Sequence, residues 1–150
     1  MNTNSTLQEQ GSGSHLQAAC RVYVADDSTA IRQRLVRLIE SSAEVRVVGE
    51  SGSPAAAVEG ILRTRPDFAI LDFHLEGGTG LEVLRAIRAA GSTVPVAMFS
   101  NEVDAGCRRS CLAAGAQWFL DKSSEFATIR EISAGLAARR TADRRQPCLQ

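Results

Sequence analysis

The chain has no excess charge of either sign. Its 17 basic residues balance 17 acidic ones, so no global positive field draws it to nucleic acid or to an anionic membrane surface, and any partner is selected by local features. It also lacks a long apolar run: nowhere do about 18 apolar residues stand together, and the opening stretch MNTNSTLQEQGSGSH has no apolar signal-like segment. A soluble, cytoplasmic protein is therefore expected. The four cysteines, Cys20, Cys107, Cys111 and Cys148, form no CxxC pair. In a chain with 44% hydrophobic content they read as reduced thiols. Cys107 and Cys111 stand at i and i+4 on an expected helix and offer half a metal site, but a buried thiol is more often a small hydrophobe and His15 lies in a polar tail. No internal repeat is visible.

Composition divides what is present into three parts. Residues 1–19 are rich in Ser, Gly, Gln and Asn and are expected to be a disordered tail. Residues 20–138 alternate short apolar runs with helix-period segments, the pattern of one domain, and 150 residues with this apolar content suffice for its core. Residues 139–150 read as a polar C-terminal tail. Within the middle part, strands are expected at residues 21–25, 45–50, 67–71, 94–99 and 117–120, each mostly apolar and followed by a polar or glycine-bearing turn. Helices fill the gaps. Ser28 or Asp27 can cap the first, which lines up Ile31, Leu35, Leu38 and Ile39; Ser53 and Pro54 open the second. The third carries Leu81, Leu84 and Ile87 and stops at Gly91. The fourth has only a thin stripe of Val103, Cys107 and Cys111 before Gly115, and the fifth shows Phe126, Ile129, Ile132 and Leu136. Buried strands alternating with helices imply an α/β fold, a doubly wound five-stranded parallel sheet with five helices covering both faces.

In such sheets function gathers at the carboxyl ends of the strands, near the reversal of strand order. Asp26 and Asp27 stand after the first strand, Asp72 after the third, Ser100 and Asn101 after the fourth, and Asp121 and Lys122 after the fifth. Carboxylates forced together raise one another's pKa unless a cation offsets them. Mg2+ is the natural remedy, because it takes oxygen ligands and commonly completes its shell with water and phosphate oxygens. Lys122 adds a point charge, and Ser100 a hydroxyl, for the oxygens of a phosphoryl group carried on Asp72. Taken singly, each acid reads equally well as a helix cap or turn residue. Lys122 alone would be a solvated charge, Trp118 a packing or contact residue, and Phe119 core. Arg108 and Arg109 form a solvated helix face or a docking point. The chemical reading rests on joint placement at adjacent strand ends.

The set VADDS, ILDFHLEGGTGLEVL, MFSN and GAQWFLDKSSEF resembles the receiver domain of bacterial two-component response regulators over residues 20–138. The resemblance implies a flavodoxin-like sheet of order 2-1-3-4-5 and phosphorylation of Asp72 by a histidine kinase or phosphotransfer protein. It implies Mg2+ on Asp27 and Asp72, with Asp26 assisting through water and the main-chain carbonyl of His74 completing the protein ligands. Ser100 would follow the phosphoryl group, and Phe119 would be the aromatic switch. Such a protein is a phosphoacceptor that assists its own phosphorylation and dephosphorylation, not a classical enzyme.

Where many receivers have a cis proline after the lysine, this chain has Ser123, so a trans 122–123 bond is expected. Glu76 stands where proline is common, leaving the turn to Gly77, Gly78 and Gly80 for its unusual dihedrals. Asn101, with His74 and Glu102, is expected to order the water that hydrolyses the acyl phosphate. A DNA-binding output module needs about 60 further residues with their own basic helical face, so a stand-alone receiver is expected. Its output would pass to a protein partner through the surface of the fourth helix, fifth strand and fifth helix, with no nucleic acid or membrane involved, from a monomer or weak dimer. The alternative is a Mg2+-dependent phosphohydrolase with an aspartyl nucleophile. Such enzymes usually carry a second Asp two residues after the first, where this chain has His74. A degenerate receiver that takes no phosphate is the third reading.

Overall fold

The structure is a computed structural model that describes residues 20–101 and 104–145. The expected N-terminal tail at 1–19, together with Glu102, Val103 and Cys148, lies outside the described residues. Strand β1 (Cys20–Ala25) is followed by α1 (Thr29–Ile39), β2 (Val45–Ser51), α2 (Pro54–Thr64), β3 (Phe68–Leu71), a two-residue strand β4 (His74–Leu75), its partner β5 (Gly78–Thr79), α3 (Gly80–Ala89), β6 (Val96–Ser100), α4 (Ala105–Ala113), β7 (Trp118–Asp121) and α5 (Phe126–Arg145). The main sheet has the order β2-β1-β3-β6-β7 with every pairing parallel. Counting its five strands alone, this is 2-1-3-4-5, the flavodoxin-like order expected. The order reverses beside β1 and β3, so the acids that follow these two strands are brought to one crevice.

The central strands β3 and β6 are buried throughout because both faces are covered, whereas the edge strand β2 carries exposed Arg46 and Glu50. Side chains alternate across the sheet. Val22, Val24, Phe68, Ile70, Ala97 and Phe99 pack beneath α1 and α5 with Leu35, Ile39 and Ile129. Tyr23, Ala25, Ala69, Leu71 and Met98 pack on the other face with Ile61, Val83, Leu84, Ile87 and Cys111. Cys20 and Cys111 are buried free thiols, and burial pushes them up to about 11 and about 12. That is core behaviour and not metal ligation.

The helix starts follow the expected chemistry. Ser28 Oγ accepts from Ile31 N and Ser53 Oγ from Ala56 N with Pro54 at the first turn; Asp104, a cap that the sequence reading did not name, accepts from Cys107 N. The helices before Gly91 and Gly115 end with those glycines at φ of 92° and 110°, the left-handed region they adopt freely. The 122–123 bond is trans, as are all peptide bonds among the described residues. Two features depart from expectation. The HLEGGT stretch closes into the β4–β5 hairpin, pairing His74 with Thr79 and Leu75 with Gly78. And α5 runs to Arg145, past the expected boundary at Ala138, because residues 139–145 hold no Gly or Pro and the first breaker is Pro147.

Gly60, in the middle of α2, makes the packing of Tyr23 testable. Alanine in a helix interior is ordinarily worth up to about 1 kcal/mol over glycine. Here a Cβ would lie 2.6 Å from Tyr23 Cε2, while a Cβ on Gly49 would press the same atom from β2 at 2.6 Å. The Tyr23 hydroxyl, which donates to Ala56 O at 3.3 Å, cannot withdraw freely. Gly60→Ala is expected to destabilise the fold by about 1–3 kcal/mol in urea unfolding; a more stable variant would mean that the ring moves at no cost.

Candidate functional site

The parallel ladder carries the acids to their places. Asp72 N donates to Ala25 O at 2.8 Å and Asp26 N to Ser51 O at 3.0 Å, so the residues leaving β3 and β1 continue the sheet's hydrogen bonding side by side. Lys122 is aligned in the same way, its N–H donating to Ser100 O at 2.9 Å. Asp26, Asp72, Ser100 and Lys122 are all buried, while Asp27 is exposed.

Lys122 Nζ lies 2.5 Å from Asp26 Oδ2 and 2.8 Å from Asp72 Oδ2. One ammonium thus bridges two buried carboxylates. The other oxygens are engaged by backbone: Asp26 Oδ1 accepts from Ser28 N at 2.9 Å, and Asp72 Oδ1 from His74 N at 3.2 Å. Asp26 therefore does both jobs weighed from the sequence, capping the turn with one oxygen and facing the crevice with the other. Its Oδ2 makes no well-aligned hydrogen bond, and the Lys122 ammonium is its partner by proximity.

The charges shift as this packing requires. Burial pushes Asp72 above its ordinary 3.8; Lys122 opposes this with a hydrogen bond and its charge, and Asp26 adds to it. For Lys122, burial alone would lower the pKa, but its close contacts with the Asp26 and Asp72 carboxylates and the charges of both outweigh it and hold the ammonium above 10.5. The lysine stays charged wherever the acids are ionised.

Asp26, Asp27 and Asp72 each present a carboxylate oxygen within 4.8 Å of the others. This all-oxygen, anionic donor set suits a hard divalent cation such as Mg2+. The buried Asp26 Oδ2, held by charge alone, is the kind of atom such an ion would satisfy. Asp121 does not join them. Its Oδ1 accepts from Ser123 N at 2.9 Å and Ser123 Oγ at 2.7 Å, which pulls the carboxyl below its usual range.

The remaining expected residues fall around this group. Ser100 ends β6 fully buried, opposite Asp121, and Asn101 is exposed next to it. Phe119 is 5% exposed, turned into the core with Val83 and Cys111. The His74 side chain is exposed and stands edge-on to Phe73, 5.3 Å between ring centroids. The turn's glycines need correction: only Gly77 has a positive φ, at 85°. Gly80 is required for room, since a Cβ there would meet the main-chain carbonyl of Asp72 and, at 2.9 Å, Met98 Cε. Sequence reasoning missed this role. Its signal was a glycine at the first position of a helix whose cap is strong: Thr79 and Glu82 form a full capping box. A cleft of about 800 Å³ lined by Leu62, Arg65, Pro66, Pro95, Leu136 and Arg139 with others lies at the opposite end of the sheet. It holds none of these acids.

Known proteins with the same pattern bear on what this crevice is. Residues 22–134 match the response regulator receiver domain. The chain is 36% identical over 104 residues to the probable transcriptional regulatory protein NarL of Mycobacterium tuberculosis, covering 69% of this chain and 48% of that protein. It is 33% identical over 111 residues to a protein-glutamate methylesterase/protein-glutamine glutaminase of a Nocardioides species, covering 73% of this chain and 30% of that one. The chain thus spans less than half of the length of these relatives. The solved receiver domain of the M. tuberculosis NarL superposes with a TM-score of 0.73 at 34% identity, covering 79% of this chain and 96% of that domain. With the sheet order, the acid crevice and the matched residues in agreement, the chain belongs to the response regulator receiver domain family.

Proposed function

We propose that Asp72 accepts a phosphoryl group from a histidine kinase or phosphotransfer protein, and that the change is passed to a protein partner through the face formed by α4, β7 and α5. The observation that carries this reading is the Lys122 ammonium, buried and bridging Asp72 to Asp26. A buried carboxylate whose nearest cation can turn to an incoming phosphoryl oxygen is prepared to be modified and not merely to hold a turn.

In the step itself an Asp72 oxygen attacks phosphorus in line with the leaving group. The new bond is O–P, and the bond broken joins phosphorus to the donor, which leaves with the electron pair and takes up a proton. Lys122 keeps its hold on an anionic oxygen throughout, exchanging part of its contact with the carboxylate for the phosphoryl group, and the Ser100 hydroxyl donates to another phosphoryl oxygen. Asp26, Asp27, Asp72 and the His74 carbonyl would hold Mg2+, which when bound supplies charge to offset the phosphoryl oxygens. Inward movement of Ser100 would give Phe119, already packed in the core beside α4, a reason to hold that position and bias the surface above it.

That the same stretch is shared with a transcriptional regulator and with a methylesterase supports placing reception of the signal here and its output elsewhere. Incubation with Mg2+ and acetyl phosphate, or with beryllofluoride, tests the reading. A stoichiometric adduct supports the receiver. Repeated turnover of a phosphoester would favour a hydrolase, and no adduct under either condition would mark a site that takes no phosphate.

A further inference from the structure

Arg32 stands in the first turns of α1, where a cation is disfavoured by the positive end of the helix dipole. No acidic residue in that turn offsets it. Its side chain is 18% exposed, and the guanidinium spreads over three acceptors: Asp26 O, which one Nη meets, Glu50 Oε1 at 3.2 Å from Nε, and Thr29 Oγ1 at 3.3 Å from the other Nη. Gly52 lies against the same group, since a Cβ there would be 3.1 Å from the guanidinium and 3.7 Å from Asp27 Cα. Glu76 N in the hairpin turn in turn donates to Gly52 O at 2.8 Å. One planar fork thus joins the loop after β1 to the end of β2, and Gly52, beside it, is bonded in turn to the hairpin after β3.

We propose that Arg32 is a positioning residue for the metal-binding acids: by holding the Asp26 carbonyl it fixes the 26–27 peptide plane and keeps the exposed Asp27 carboxylate within the Asp26–Asp72 group. This rests on the Mg2+ reading of the crevice. The physical contest gives the proposal its sign. As a bare charge, Arg32 repels a divalent cation nearby, so its removal would tighten Mg2+ binding. As a positioner, its removal frees the 26–27 peptide to rotate and weakens binding, in the way that groups supporting metal ligands commonly matter about tenfold or more. A lysine keeps the charge but not the fork that spans Asp26 O and Glu50 together.

The test is a Mg2+ titration of the metal-free chain followed by backbone amide shifts at Asp27, His74 and Ser123. The wild type, Arg32→Ala, Arg32→Lys and Glu50→Gln are compared. Arg32→Ala is expected to need about tenfold more Mg2+ for half-saturation. Arg32→Lys should fall between it and the wild type, and Glu50→Gln, which leaves the guanidinium on Asp26 O, should stay within about twofold of the wild type. Amide shifts of β3 and β6 that match the wild type in either Arg32 variant show that the fold is kept. Unchanged or tighter binding by the Arg32 variants overturns the proposal, as does a loss of stability with Mg2+ affinity unchanged. A wild type that does not respond to Mg2+ overturns the metal reading, and this proposal with it.

Discussion

Asp72→Asn is expected to take up no phosphoryl group and yet to be more stable than the wild type at neutral pH. Burial raises the Asp72 carboxyl above 3.8, with Asp26 adding to the shift and Lys122 opposing it. A carboxyl whose folded pKa exceeds its unfolded one favours folding in its protonated form. Below about 3.8 it is protonated in both states and costs nothing; as pH rises past 3.8 the cost grows, and it is complete once the folded value is passed. Asparagine removes the buried charge while its carbonyl oxygen still accepts from Lys122 Nζ, now 2.8 Å from Oδ2. A gain of about 1–2 kcal/mol is expected in metal-free urea unfolding at pH 7, shrinking as pH falls toward the carboxylate range. A less stable variant at pH 7 would mean that the Lys122 contact outweighs desolvation. Stability given up at one buried acid is the signature of a residue kept for chemistry.

Lys122→Ala acts in the opposite direction and more strongly. The lysine is 7% exposed and compensates both Asp26 and Asp72. Removing one side of a buried charge group leaves the other unpaired, at a cost of about 3 kcal/mol. Because the folded pKa of Lys122 lies above 10.5, the stability that it supplies is complete below 10.5 and disappears only as pH rises through the folded value, so the full loss is expected at pH 7. Mg2+ can replace the missing charge. In millimolar Mg2+ the variant should recover part of the loss and gain more in melting temperature than the wild type does, since ligand binding to the folded state adds stability by mass action. Equal stability of the two metal-free proteins would show that the carboxylates are solvated well enough to need no counter-ion.

The residues that the sequence exposed best were those whose position follows from period and order. Runs of apolar residues without polar alternation marked buried parallel strands, and the strand ends then placed Asp26, Asp27, Asp72, Ser100 and Lys122 at one edge without any knowledge of distance. What stayed hidden depended on contacts across loops. Nothing local says that Asp26 divides its two oxygens between Ser28 N and Lys122, because the second contact spans the sheet. Gly80 looked like a flexible turn residue, whereas its role is set by the Asp72 carbonyl beside it. Arg32 carried no signal of its own, because its partner Glu50 comes from β2. The β4–β5 hairpin was missed because two-residue strands carry no periodicity. The continuation of α5 was missed because a polar segment without a packed face resembles a tail, although its residues propagate a helix already begun.

Asp72 is the proposed destination of the phosphoryl group, and its chemistry allows a direct test. Treatment with acetyl phosphate and Mg2+, followed by borohydride reduction, converts a phosphorylated aspartate to homoserine, and peptide mass spectrometry then locates it. Homoserine is expected at position 72 alone, absent without Mg2+ and absent in Asp72→Asn. Homoserine at Asp26 or Asp27, or none at all while the untreated chain binds Mg2+, would contradict it.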